Sequence, residues 1–137
     1  MPTPSEFELQ RAFTIWLFGH NNSPRHLAPN VEAWHTPNGG LRRDAFEGKR
    51  LKQIGVLAGI HDYLFLRPTD FGVYGVFGLL FGLEFKKPGG TQPPSRHLSL
   101  AQLDVQPRLL RAGMAASCVV DNLDDAREFC RKHSLTI

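Results

Sequence analysis

Leu9, Ala12, Phe13 and Trp16 recur at i, i+3, i+4 and i+7 behind the capping box Ser5-Glu6-Phe7-Glu8, and this pattern predicts an amphipathic helix over residues 6–18. Gly19 ends it, and His20-Asn21-Asn22-Ser23-Pro24-Arg25 has the composition of a loop. Val31-Glu32-Ala33-Trp34 alternates apolar with polar, as a half-exposed strand does, before the turn residues Thr36-Pro37-Asn38-Gly39-Gly40. Asp44 and Glu47 then make a second capping box, opening a helix that carries Lys49, Arg50 and Lys52 and closes at Gly55.

Two short apolar runs follow, Asp62–Leu66 and Leu79–Phe85, joined by a connection containing Pro68, Asp70 and Gly72. They read as an adjacent antiparallel pair of buried strands. The whole run from Phe71 to Phe85 is shorter than the roughly 20 apolar residues a membrane-spanning helix needs and is broken by four glycines, so it reads as loop plus buried strand. Lys87 to Pro94 is a Gly- and Pro-rich loop. Ser99-Leu100-Ala101-Gln102 caps a further helix running toward Gly113, which Pro107 should kink or restart. Ala115–Val120 is a strand, and Asn122 caps a last helix with Leu123, Ala126, Phe129 and Cys130 on its buried face. Helices and strands interleave without an internal repeat or a dividing linker, so residues 1–137 are expected to form one α/β domain.

Composition changes this picture little. Ten Phe and two Trp in 137 residues can supply a core without disulfides or structural metal. A formal charge of +3 does not itself indicate a nucleic-acid partner, so the distribution of charge matters more than its sum. Cys118 and Cys130 have neither disulfide-framework nor zinc-site spacing and read as small buried hydrophobes. The polar start Met1–Glu6 lacks the features of a secretory signal, which predicts a cytoplasmic protein with no membrane partner.

The candidate chemistry lies at Asp62 and at Glu84-Phe85-Lys86. Side chains two apart on a strand share a face, so Glu84 and Lys86 lie together while Phe85 points into the opposite layer. An ionisable pair on an apolar strand is costly without partners. If the two strands are antiparallel, Asp62 at the start of one meets Glu84 near the end of the other. Two converging carboxylates repel unless a cation sits between them, and oxygen-only ligands favour Mg²⁺ or Mn²⁺ over zinc.

The arrangement Asp62 with Glu84-Phe85-Lys86 resembles the PD-(D/E)xK nuclease superfamily, and the surrounding blocks are similar to its VRR-NUC branch. Those blocks are His35-Thr36-Pro37-Asn38-Gly39-Gly40, Arg50–Val56, Gly59-Ile60-His61-Asp62, Glu84-Phe85-Lys86 and Leu98-Ser99-Leu100-Ala101-Gln102, in the family's order. A D…ExK pattern alone is weak; five ordered blocks are a specific signal. The resemblance implies a restriction-endonuclease-like αβββαβ core, a mixed central sheet flanked by helices. It also implies an Mg²⁺ or Mn²⁺ ion held by Asp62, Glu84 and the backbone carbonyl of Phe85, with Lys86 orienting the attacking water or the scissile phosphate. Such an ion activates water and offsets the charge that develops on the phosphate. The family's helix-borne acidic residue falls on Glu6, with Glu8 left to the capping box, and Gln102 takes a supporting place beside the ion or phosphate. Where the family has proline before the aspartate, this chain has His61.

The implied activity is endonucleolytic cleavage of DNA, structure-selective on branched substrates such as Holliday junctions and needing no organic cofactor. The alternatives are a restriction- or repair-type nuclease on linear or flap DNA, and a nucleic-acid-binding module that has kept the fold without cleaving. Cutting two strands calls for a homodimer, with the apolar Phe71–Phe81 stretch as its candidate interface. DNA contacts are expected from His35, Asn38, Gly39, Gly40, Arg42, Arg43, Lys49, Arg50, Lys52 and Lys87. Each assignment has a plainer counterpart: Glu6 as a favourable first-turn acid, Gln102 as a cap residue, the basic set as a solvated helix face, and Asp62, Glu84 and Lys86 as a structural ion-pair cluster.

Overall fold

In a computed structural model, residues 2–36, 49, 50, 53 and 57–137 are described. Their elements run α1 (Glu6–Phe18), β1 (Glu32–His35), β2 (Tyr63–Asp70), β3 (Val76–Phe85), α2 (Leu100–Arg111), β4 (Ala116–Val120) and α3 (Leu123–Lys132). The strands form one mixed sheet in the order β1-β2-β3-β4. β1, β2 and β3 are antiparallel neighbours; β4 returns parallel to β3 after the α2 crossover. Among the described residues no helix is long and apolar enough to cross a membrane.

Alternation along the strands decides where the core sits. Tyr63 and Phe65 on β2 and Phe81, Leu83 and Phe85 on β3 all turn to one face. There they meet Leu9, Phe13 and Leu17 of α1, and Ala126, Phe129 and Cys130 of α3. Phe13 is the hub, fully buried, with ring centroids 5.0 Å from Tyr63 and 5.3 Å from Phe85. The predicted α1 stripe is displaced by one position: Leu17 is buried where Trp16 is only partly covered. The reason is lateral packing, because Trp16 stacks on His26 at 4.9 Å and beneath the Arg127 guanidinium at 5.4 Å.

Several sequence expectations need correction. β2 does not stop at Leu66 but runs through Pro68 to Asp70, pairing with a β3 that begins at Val76. A proline is tolerated there because β1 accompanies β2 only as far as Leu66, leaving the outer edge of residues 67–70 without a strand partner among the described residues. Of the stretch expected as loop plus buried strand, Phe81–Phe85 is buried strand as expected, whereas Phe71–Leu80 belongs to the end of a two-stranded arm, with Val73 96 % and Tyr74 79 % exposed at its tip. α2 continues through Pro107 to Arg111 without restarting; the carbonyl deprived of its donor belongs to Leu103, on an exposed turn. Cys130 is buried as expected, whereas Cys118 is only partly so. The helix predicted to close at Gly55 lies largely outside the described residues, of which Lys49, Arg50 and Gln53 are helical and exposed.

Candidate active site

Asp62 immediately precedes β2, and the pairing of Tyr63 with Leu83 sets it beside Glu84 at the same end of the sheet. Leu83 and Phe85 face the core, so Glu84 faces the opposite layer, toward the first turn of α2. Two bonds tie Asp62 to the Glu84-Phe85 segment. The Asp62 amide donates to Glu84 Oε2 at 3.2 Å, and Asp62 Oδ2 accepts from the Phe85 amide at 2.8 Å. Both carboxylates are buried, Glu84 at 1 % exposure and Asp62 at 7 %.

Lys86 Nζ lies 3.5 Å from Glu84 Oε1 and donates to Gln102 Oε1 at 2.8 Å. Gln102 Nε2 in turn donates to Glu84 Oε1. The same Gln102 completes the capping box of α2, its Oε1 accepting from the Ser99 amide at 2.9 Å while Ser99 Oγ caps the Gln102 amide. The cap and site readings of Gln102 are thus both present in one amide. Gly59 brings the preceding loop against this helix start; at φ +87° it adopts a backbone that favours glycine, and an added Cβ would lie 2.4 Å from the Ala101 carbonyl oxygen.

These groups lie along a cleft of about 820 Å³, walled by α1 through Glu6, Phe7, Gln10 and Arg11 and opposite by Ala58, Gly59 and Ala101. Glu6 lines the cleft, and its charge acts on Asp62, whereas Glu8 is occupied with the Ser5 amide at 2.7 Å. His35 also lines the cleft, its ring 5.1 Å from that of Tyr63. Lys49, Arg50 and Lys87 are exposed and do not line it. Asn38, Gly39, Gly40, Arg42, Arg43 and Lys52 fall outside the described residues.

Burial raises the carboxyl pKa of both Asp62 and Glu84 above the usual range. The Asp62 charge raises Glu84 further, and Lys86 pulls in the opposite direction without cancelling the rise. Two buried carboxylates set against one lysine leave a demand for positive charge that a proton or a divalent cation can meet. The donors fit such an ion: nothing among the described residues donates to Asp62 Oδ1, and the oxygen set is hard. No three His, Cys, Asp or Glu side chains gather closely enough among the described residues to hold a metal alone. Two carboxylates, with waters and substrate phosphate oxygens to complete the shell, match the way Mg²⁺ is ordinarily held.

Sequence reasoning overlooked four residues around Asp62. Thr36 donates its hydroxyl to the His61 carbonyl and its amide to the Asp62 carbonyl at 2.7 Å. Tyr63 anchors α1, its hydroxyl donating to the Gln10 carbonyl at 2.9 Å beside Thr14 Oγ1. Ser117, a polar residue in an otherwise apolar strand, faces Gly82, and both meet the buried ring of His61. The serine in β4 and the second of two glycines in β3 were the available signals. No family model matches the chain, and no curated protein or solved structure matches it either.

Proposed function

We propose that this protein is a divalent-metal-dependent DNA endonuclease with a restriction-endonuclease-like core, acting on branched DNA. The observation that carries this reading is the pair of bonds by which the Asp62 amide reaches the Glu84 carboxylate and the Asp62 carboxylate reaches the Phe85 amide, in a buried corner that opens into the cleft beside Lys86. The sequence blocks quoted above support the same reading.

On this reading Asp62, Glu84 and the Phe85 carbonyl hold Mg²⁺ or Mn²⁺, which supplies Lewis acidity for phosphodiester hydrolysis. Lys86 presents a positive charge to the phosphate or to the attacking water, in a corner shielded enough from solvent for that charge to act strongly. Gln102 fixes both Lys86 and Glu84, so neither swings away before substrate arrives. Glu6 lies across the cleft as a further acceptor for an ion or a water. In hydrolysis the water oxygen bonds to phosphorus as the water gives up a proton, one phosphoester bond breaks, and the departing alkoxide takes up a proton to leave as the alcohol. Two strands are cut by two copies of the chain.

The test uses labelled four-way junction, flap and linear duplex with wild-type protein and Glu84→Ala, in Mg²⁺, Mn²⁺ or EDTA. Cleavage that requires both the metal and Glu84, strongest on the junction, is the expected result. Cleavage indifferent to EDTA and to the substitution overturns the site; equal cutting of all three substrates overturns the preference for branched DNA.

A further inference from the structure

His61 is fully buried although its neighbour Asp62 faces the cleft. Its ring occupies the space over Gly82, where an added Cβ would lie 2.6 Å from His61 Cγ and 2.7 Å from Nδ1. That is far inside ordinary contact, so the ring and any side chain at 82 exclude one another. Nε2 lies 2.5 Å from the hydroxyl of Ser117, which is the residue paired with Gly82 across the β3–β4 register. The His61 carbonyl, meanwhile, accepts from Thr36 Oγ1 at the end of β1. Residue 61 is therefore held at three points, by β3, by β4 and by the residue that follows β1.

Simple space-filling does not call for an imidazole here. Among the described residues Nδ1 is buried without a hydrogen-bond partner, a cost that an aliphatic side chain in the same hole would avoid. What an aliphatic residue cannot do is take its bearing from Ser117. One residue further on, the Asp62 amide and carboxylate make the two bonds that join it to Glu84 and Phe85. Both depend on where the backbone enters β2.

We propose that His61 is a positioning residue: its ring, seated over Gly82 and tied to Ser117, fixes the backbone that carries Asp62 and so sets the spacing of the Asp62 and Glu84 carboxylates. It acts through Asp62 and touches no substrate. Its effect on cleavage rests on the nuclease reading; the positioning itself does not.

Two readouts without DNA test this: hydrogen exchange of the Phe85 amide, whose acceptor is Asp62, and Mn²⁺ binding by calorimetry. They are compared in wild type, Ser117→Ala, Gly82→Ala, His61→Ala and the double variant His61→Ala/Gly82→Ala. Each of the last two single substitutions is expected to speed Phe85 exchange and to weaken Mn²⁺ binding by roughly tenfold or more, with the Cys130 amide unchanged. The double variant should match His61→Ala alone, because the new methyl then has no ring to displace. Ser117→Ala, which removes one hydroxyl, should move both readouts in the same direction by less, and it covers the case where a larger change prevents folding. Wild-type Phe85 exchange in both Ser117→Ala and Gly82→Ala overturns the proposal, as do effects that simply multiply in the double variant. A wild-type protein that binds no Mn²⁺ and cuts no DNA overturns the nuclease reading instead, and the exchange comparison still decides the role of His61.

Discussion

Lys86 Nζ is closer to the amide oxygen of Gln102, at 2.8 Å, than to the carboxylate of Glu84, at 3.5 Å. The ammonium is thus steered by a neutral group that also closes a helix cap. On the nuclease reading, replacing Gln102 with alanine should lower cleavage by roughly tenfold to a hundredfold, in line with the loss of a partner that supports a metal ligand. It should also cost about 1 kcal/mol of stability through the broken capping box. Kinetics and denaturant unfolding of the same variant separate the two effects.

The raised pKa values of Asp62 and Glu84 make a pH prediction. A carboxyl group whose folded pKa exceeds its unfolded value binds more protons in the native state, so the metal-free protein loses stability as pH rises from about 4 toward those raised values. Glu84→Gln removes one of the two charges and should flatten that fall, giving a melting temperature above wild type in EDTA on the alkaline side of neutrality. Added Mn²⁺ should reverse the order, and its stabilisation of wild type should grow with pH as the competing proton leaves. Thermal scans across pH, with and without the ion, read this directly.

Glu6 and Glu8 should separate by phenotype. Glu6→Gln is expected to reduce cleavage by about tenfold with little change in stability, because its carboxylate lines the cleft. Glu8→Ala should leave cleavage intact and cost about 0.5–1 kcal/mol, because its carboxylate serves the Ser5 amide. The reverse pattern in activity assays and unfolding curves would place the catalytic acid at Glu8.

The arm formed by the ends of β2 and β3 exposes Phe71, Val73, Tyr74, Val76 and Phe77, an apolar surface that water solvates poorly. Sedimentation equilibrium at micromolar concentration is expected to show a dimer, and Val73→Glu with Phe77→Glu should give a folded monomer that still binds Mn²⁺. A monomeric wild type rules out this interface.

Much of the fold was legible because its signals are local. Ser5 and Glu8, Ser99 and Gln102, and Asn122 all cap the helices their spacing announces. Glu84 and Lys86 converge because strand alternation requires it, and Asp62 joins them because β2 and β3 are antiparallel. What stayed hidden was non-local. The path of β2 through Pro68 depends on where β1 ends, and the use of Trp16 depends on Arg127, far along the chain. The role of Gly82 depends on a ring that arrives from the segment before β2.

Gln102 has one further consequence. Helix ends ordinarily fray faster than the rest of a domain unfolds, because the first turn is held by few bonds. In α2 the residue that stops the first turn from fraying also holds Glu84 and Lys86, so the opening of that turn and the loss of the charged corner are a single event. The beginning of the helix and the floor of the cleft should therefore share one opening free energy, and anything that binds in the corner should quiet the helix terminus by the same amount.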